Sequence, residues 1–358
     1  ENKSILFQWD VDGDGDPDLV TANRGTRDFS VLLNDGDGAF ASPATYPHGG
    51  ASPDPLSLNV ADFNGDGAPD LAITADGALI IVFNNGVGAF GEPITRPTPL
   101  IPNAVKLLGH ADLDRDGDLD LVTQFTQTQG LRVEQNDGSG GFSKAEYLDR
   151  FLDEDGGRLP KVPMDWGLAA RFADINQDGF PDLYVCNDLF TPDRIWMNDG
   201  EGRFRAIPKL AIRSTSTFSM GVDFADYDRD GDTDFFVVDM LSRDHEMQHV
   251  QISEMASKNE PHTLLNSRPQ ISRNTLQVNR GDNTFAELAY YANVEASEWS
   301  WGPIFLDVDL DGYEDILVTN GQLRDFQNAD MAAKVEAEKK RGALSQKDIL
   351  NLISLFPD

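Results

Sequence analysis

Three observations predict an all-β fold, a β-propeller of six recognisable blades. An acidic nine-residue loop recurs six times, an Asn-Gly hairpin motif follows five of the copies, and short apolar runs flank both. The same reading expects a helical insertion in the fifth repeat and a helical segment at the C-terminal end.

The acidic copies are DVDGDGDPD (10–18), DFNGDGAPD (62–70), DLDRDGDLD (112–120), DINQDGFPD (174–182), DYDRDGDTD (226–234) and DVDLDGYED (307–315). They share D-x-[DN]-x-D-G-x-x-D and begin 52, 50, 62, 52 and 81 residues apart. One copy would be a weak signal; six with a fixed internal spacing are a strong one. The first six positions resemble the start of an EF-hand loop, but that loop needs a bidentate Glu at position 12. In the fifth copy position 12 is Val237, inside the apolar run FFVV, so the chain turns straight back into a strand.

Strand signals bracket the loops. Apolar residues alternate before them in Leu56, Leu58, Val60, in Met220, Val222, Phe224, and in Trp301, Pro303, Phe305. Short runs follow them: LAI (71–73), LYV (183–185), FFVV (235–238) and ILV (316–318). The second motif reads NDGDGAF (34–40), NNGVGAF (84–90), NDGSGGF (136–142), NDGEGRF (198–204) and NRGDNTF (279–285). Asn, Asp and Gly between apolar runs tolerate the positive φ of tight hairpins. Its closing residue (Phe40, Phe90, Phe142, Phe204, Phe285) is expected to start the next strand and pack into the core. Each unit thus reads strand, acidic loop, strand, variable connection, strand, Asn-Gly turn, strand, the content of one propeller blade.

The propeller reading covers residues 1–322, with the helical insertion at about 241–270. Residues 323–358 turn helical in NADMAAKVEAEKK and LSQKDILNLISLF, where Ser345 and Asp348 form a capping-box variant and Leu344 can staple to Ile349. No hairpin motif follows the sixth loop. The expectation is therefore that the propeller continues beyond residue 358, with seven blades in the complete protein; the alternative is closure by strands this sequence does not contain.

Composition narrows the function classes. The chain has 358 residues, 40% hydrophobic, and a formal net charge of −32, which disfavours nucleic acid as a partner because that needs a basic footprint. The lone Cys186, in the apolar stretch DLYVCND, reads as a buried small hydrophobe, and no intrachain disulfide can form. No run of 18 apolar residues exists, so no transmembrane span is expected. Glu1 in place of Met leads to the expectation of a processed chain or a fragment.

Carboxylates packed this tightly repel: two unit charges 4 Å apart cost about 4 kcal/mol at an effective dielectric near 20. A cation removes that cost. Hard oxygen donors at positions 1, 3, 5 and 9, with Gly at 6 for the turn and a carbonyl at 7, suit calcium. The expected ligands are Asp10, Asp12, Asp14 and Asp18; Asp62, Asn64, Asp66 and Asp70; Asp112, Asp114, Asp116 and Asp120; Asp174, Asn176, Asp178 and Asp182; Asp226, Asp228, Asp230 and Asp234; and Asp307, Asp309, Asp311 and Asp315. About six Ca²⁺ ions follow, each pinning a hairpin, and the loops look too self-sufficient for catalysis.

The loop, short strand and N-x-G-x-G-x-F hairpin resemble the FG-GAP/VCBS repeats of integrin-α-like propellers over residues 1 to about 322. The phrases SMGVDFADYDRDGDTDFFVVDML (219–241), SRNTLQVNRGDNTF (272–285) and WSWGPIFLDVDLDGYEDILVTNGQLRD (299–325) are similar to bacterial ASPIC/UnbV-associated proteins related to cartilage acidic protein. The resemblance implies an exported, calcium-loaded propeller that is extracellular, at the cell surface or periplasmic. It implies no defined enzymology.

Three rival motifs need weighing. HEMQH (245–249) matches the H-E-x-x-H pattern of zinc peptidases, with Glu246 as base between His245 and His249. The preceding Ser242, Arg243 and Asp244 are polar where a buried zincin helix is apolar, and a third ligand would have to be Glu254, Glu260 or His262. Arg280-Gly281-Asp282 occupies a hairpin slot, so turn chemistry explains it. Trp166, Trp299 and Trp301 are expected to pack between blades, although stacking on a sugar is the lectin alternative. The leading expectation is a non-enzymatic module that binds a protein or glycan partner. The enzyme alternative, a propeller hydrolase or polysaccharide lyase, would need residues such as Arg171, Arg194, Arg213, Arg273 and His262 to converge.

Overall fold

The computed structural model describes residues 5–50, 55–75, 77–97, 105–125, 130–144, 150–160, 163, 165, 167–188, 191–251, 268–321, 328, 330–331, 333–335 and 337. It divides into two compact units. One comprises Glu1–Asp165, Asp178–Leu183 and Trp196–Ala206; the other comprises Trp166–Gln177, Tyr184–Ile195 and Ile207–Asp358.

Four-stranded antiparallel sheets repeat along the chain. The first is β1 (Ile5–Trp9), β2 (Asp18–Asn23), β3 (Asp28–Leu32) and β4 (Ala44–Pro47), and the second β5 (Pro55–Ala61), β6 (Asp70–Ala75), β7 (Ala78–Val82) and β8 (Ile94–Pro97). The third joins β9 (Val105–Ala111), β10 (Asp120–Phe125), β11 (Gly130–Asn136) and β12 (Phe142–Lys144). The fourth adds a short parallel strand, β13 (Phe151–Leu152), beside β17 (Phe204–Ala206), followed by β16 (Arg194–Asn198), β15 (Asp182–Asn187) and β14 (Gly167–Ala173). In the second unit β18 (Thr215–Ser216) pairs with β21 (Gln270–Ile271), and the fifth sheet is β19 (Gly221–Ala225), β20 (Asp234–Val238), β22 (Thr275–Asn279) and β23 (Phe285–Glu287). The sixth is a two-stranded hairpin, β24 (Ser300–Leu306) and β25 (Asp315–Asn320).

The acidic loops join neighbouring strands, as the repeat predicts. In five of the six loops the register pairs the residue before the loop with its ninth residue: Trp9 with Asp18, Ala61 with Asp70, Ala111 with Asp120, Ala225 with Asp234, and Leu306 with Asp315. Each loop is therefore the tip of a hairpin whose two strands it holds in register.

Packing between sheets explains the apolar runs. β6 and β7 are buried at every position, so they lack the alternation of a half-exposed strand. One face packs on Val20, Phe29 and Val31 of the first sheet, the other against Leu121 and Phe142 of the third. β2, with one buried face, alternates cleanly. In the second unit Met220, Phe236, Val238 and Leu276 pack against Phe305, Ile316 and Val318 of the sixth sheet.

The closing phenylalanines divide by position. Phe142, Phe204 and Phe285 start their strands and are buried. Phe40 and Phe90 form single bridges instead, and their fourth strands begin four residues later. Phe90 packs edge-on to Phe29 and Tyr46 of the first sheet. Phe40 is 44% exposed, contrary to the core role expected of it. It belongs to the first sheet, and among the described residues no earlier sheet exists to receive it.

The helical insertion contains α1 (His245–Val250), capped by Asp244, which accepts from the amides of Glu246 and Met247. A second short helix, α2 (Ala289–Ala292), follows β23 and ends at Asn293 in the left-handed region. In the C-terminal segment the described residues 330–331, 333–335 and 337 are helical. The proposed cap at Ser345 and Asp348, and the residues Glu254, Glu260, His262 and Trp166, lie outside the described residues. Trp299 is half-buried against the fifth sheet, but Trp301 is 51% exposed and its indole N–H donates to the Gly321 carbonyl, so it is not an inter-sheet wedge.

Candidate metal-binding loops and a polar cleft

Every acidic loop uses its own carboxylates to fix its backbone. The first-position Asp accepts from the amide of the sixth-position Gly in five copies: Asp10 from Gly15, Asp62 from Gly67, Asp112 from Gly117, Asp226 from Gly231 and Asp307 from Gly312, at 2.8–3.1 Å. The fifth-position Asp accepts from the seventh amide in all six, at 2.8–3.0 Å. The sixth-position Gly sits at φ between 84° and 96° throughout, as a sharp turn requires.

The ninth-position Asp has a different environment. Asp18, Asp70, Asp120, Asp182 and Asp234 are buried. In the first three and the fifth of these, one oxygen accepts from the second-position amide of the same loop: Val11, Phe63, Leu113 and Tyr227. The other oxygen, in all five, accepts from the first Asn of the hairpin motif: Asn34, Asn84, Asn136, Asn198 and Asn279, at 2.7–2.8 Å. One carboxylate thus ties the acidic loop to the Asn-Gly turn. Burial pushes Asp70 and Asp234 up to about 6 and Asp120 up to about 7, against the two amide hydrogen bonds that pull them down.

The Asn side chains complete a second link that the sequence reading missed. Asn84 donates to the Val11 carbonyl, Asn136 to Phe63, Asn198 to Leu113 and Asn279 to Ile175, each the second position of the preceding acidic loop. The motif was legible as turn chemistry. Its recurring Asn is also a latch between successive sheets, and the pairing spans 73–104 residues, beyond any local pattern. A third link runs from position 4, which is left-handed in every loop although only Gly13 and Gly65 are glycines. Arg115 there stacks over Phe180 at 3.8 Å, Arg229 over Tyr313 at 3.9 Å, and Gln177 donates to the Gly231 carbonyl.

Within four of the loops carboxylates also converge on one another. Oxygens of Asp10, Asp12 and Asp18, of Asp112, Asp114 and Asp116, of Asp226, Asp228 and Asp230, and of Asp307, Asp309 and Asp311 lie within 4.8 Å of one another in their respective loops. In the second and fourth loops Asn64 and Asn176 replace the third-position Asp, and no such trio of acids forms among the described residues. Burial first and neighbouring carboxylates second hold Asp12, Asp114 and Asp228 above the usual carboxylate range. Asp112 Oδ1, Asp114 Oδ1 and Asp226 Oδ1 are buried without a hydrogen-bond partner. Buried acceptors left unpaired beside like charges fit a cation with hard oxygen preference. These Asp clusters can hold metal ions.

A separate feature lies in the second unit. Arg243, Gln248, Asn293, Glu295 and Ala296 line a cleft of about 380 Å³. α2, which ends on Asn293, carries Tyr290 and Tyr291, 65% and 90% exposed. Of the basic residues named for the enzyme reading, Arg171 pairs with Asp223, Arg273 pairs with Glu287 and stacks on Tyr290, and Arg194 is buried in β16, while His262 lies outside the described residues. Arg280-Gly281-Asp282 occupies the β22–β23 hairpin, with the Asp282 carboxylate accepting from Thr284. Cys186 is buried and forms no disulfide.

Repeated four-stranded antiparallel sheets, each with an acidic loop at the tip of one hairpin, define a β-propeller-like repeat protein. The chain belongs to the FG-GAP-like repeat family, which matches residues 10–73, 62–123, 112–185 and 174–237, each window running from one acidic loop through the strand after the next. No curated protein matches it. Among solved structures it is similar to an Agrocybe aegerita lectin described for specific recognition of non-reducing terminal N-acetylglucosamine. The likeness has 18% identity and a TM-score of 0.52 over 79% of this chain and 64% of the lectin's, so the chain spans less than two thirds of that relative. Lesser likenesses are to the Photorhabdus luminescens Tc holotoxin pore (19% identity, TM-score 0.43, 90% of this chain and 14% of that one) and the V. cholerae biofilm matrix protein Bap1 (14%, 0.37, 79% and 38%). No helix among the described residues is long and apolar enough to cross a membrane.

Proposed function

We propose that this FG-GAP repeat chain is an exported, calcium-stapled interaction module whose ligand is a glycan. The carrying observation is the convergence of three carboxylates within 4.8 Å in four loops, two of which also hold buried oxygens that no protein donor satisfies. Calcium supplies the missing charge and six or more oxygen-coordinated positions. The ligands are the residues at loop positions 1, 3, 5 and 9, about six ions in all. The ions act structurally, closing hairpins in an assembly whose sheets are short.

The glycan reading rests on the cleft of about 380 Å³ and its neighbours. Amide, carboxylate and guanidinium groups there match sugar hydroxyls, and exposed tyrosines offer faces for a pyranose ring. The lectin likeness supports the fold of such a module and leaves its sugar open. The phrases shared with ASPIC/UnbV-associated proteins support an exported setting.

The test is a glycan array probed with the calcium-loaded chain, the chain in EDTA and a Tyr291→Ala variant. Binding to a defined glycan class that falls at least roughly tenfold in both controls is expected, one lost aromatic contact being worth about 1.4 kcal/mol or more. A flat array with calcium-loaded protein, or full binding by Tyr291→Ala, sinks the glycan reading and favours a protein partner.

A further inference from the structure

The paired histidines of α1 are not absorbed by the acidic loops or by the cleft. His245 and His249 stand one helical turn apart and are both exposed, yet their rings meet: Nε2 to Nε2 is 3.3 Å, and the centroids are 4.6 Å apart at 72°. We propose that they form a two-histidine clasp for a tetrahedral divalent ion of the zinc type, a second metal site chemically separate from the oxygen-only loops.

The distance carries the argument. A zinc ion with two imidazole nitrogens at about 2.0–2.1 Å and tetrahedral angles sets those nitrogens about 3.3–3.4 Å apart. A square-planar ion would draw them to about 2.9 Å, so the observed spacing selects tetrahedral geometry. Neutral imidazole is a nitrogen donor that suits zinc, while calcium takes oxygen, so the two kinds of site divide the ions between them.

The helix that presents the pair is anchored. Asp244 caps it through the amides of Glu246 and Met247 at 2.8 and 2.9 Å. Gln248 Nε2 donates to the Ser242 carbonyl at 2.7 Å, and Gln251 both accepts from the Ser242 amide and donates to the Met240 carbonyl. Six residues would not hold a helix in water alone. These contacts fix it to the chain leaving β20, so the clasp is preorganised and little ordering cost falls on the ion.

The site differs from that of a zinc peptidase. Among the described residues no third His, Cys, Asp or Glu joins the pair within ligating distance. Glu246 faces no such completed centre. The described residues thus supply two nitrogen ligands, and the proposal is one of metal binding alone.

Zinc titration of the full chain, held in excess calcium and followed with a chromophoric zinc indicator, tests the proposal. One zinc per chain beyond any loop-bound metal is expected, undisturbed by further calcium. His245→Ala and His249→Ala should each weaken it at least roughly tenfold, because a lone imidazole loses the chelate. His249→Gln, which keeps the helix surface polar, should lose zinc equally while its melting curve in calcium stays that of the parent. Equal zinc uptake by the parent and all three variants would assign the ion to carboxylates and overturn the clasp, as would no zinc uptake in calcium. If the 3.3 Å contact is only an imidazole N–H···N hydrogen bond, this last result is the one observed.

Discussion

Two regions of the molecule use aspartate in opposite ways. In the hairpin loops Asp112, Asp114 and Asp116 converge on one another, and two of their buried oxygens find no donor. In the second unit Asp193 and Asp239 are fully buried, yet each is satisfied by protein. Asp193 accepts from the Tyr184 and Ser219 hydroxyls at 2.7 Å and from the Asn187 amide at 2.8 Å. Asp239 accepts from the Ser216 hydroxyl and the amides of Thr217, Phe218 and Met240. The same side chain is therefore incomplete without a cation in one place and self-sufficient in the other. Clustering of acids in sequence marks the first kind; the second is scattered along the chain and becomes a network only on folding.

Removing calcium is the largest test of that contrast. A loop occupied at 1,000 times its Kd gains about 4 kcal/mol, which is roughly 5 °C in melting temperature for a single site in a chain of this length. EDTA should therefore lower the melting temperature by at least that much, and calcium should restore it. An unchanged melting curve would mean that the loops need no cation, and the contrast would collapse.

The buried network should respond to protons instead. Burial pushes Asp193 up to about 7, despite the three donors that pull it down. An unfolded Asp titrates near 3.9, so between about pH 4 and 7 the native state holds a proton that the unfolded chain has released. That contribution is complete below about pH 4 and is lost as pH rises towards 7, at about 1.4 kcal/mol per pH unit. Calcium-bound carboxylates change in the opposite sense, losing stability as pH falls. The difference in unfolding free energy between the parent and Asp193→Asn, measured by urea unfolding in calcium, isolates the network. It should move in favour of the variant from pH 5 to 7, and a flat difference would break the assignment.

The smallest effect sharpens the comparison inside the loops. Asn136→Ala removes the donors to the Phe63 and Leu119 carbonyls and should cost about 1–3 kcal/mol by leaving buried acceptors unpaired. Asn34 occupies the same slot in the first sheet, but its side chain donates only to the Pro17 carbonyl, in an exposed setting. Asn34→Ala should stay within about 0.5 kcal/mol of the parent, as surface changes usually do. Equal losses at both positions would show that the latch between sheets carries little of the stability.

The sequence by itself determined what depends on local spacing. Six loops with one internal pattern, five Asn-Gly turns and the apolar runs between them specify hairpins, because hydrogen-bonding periodicity and turn geometry act over a few residues. The lack of an Asn-Gly motif after the sixth loop was legible in the same way, and among the described residues that repeat has two strands. Tertiary structure alone decided which faces are covered. Phe40 repeats the spelling of Phe90 but is exposed where Phe90 packs on Phe29 and Tyr46, and Trp301 is exposed as well. It also decided that the hairpin Asn reaches the previous loop, that position 4 takes left-handed backbone with Arg, Gln or Leu as well as Gly, and that Asp193 gathers Tyr184 and Ser219 while Asp239 gathers Ser216. Those contacts join residues far apart in the chain, and burial is a property of what packs against a residue.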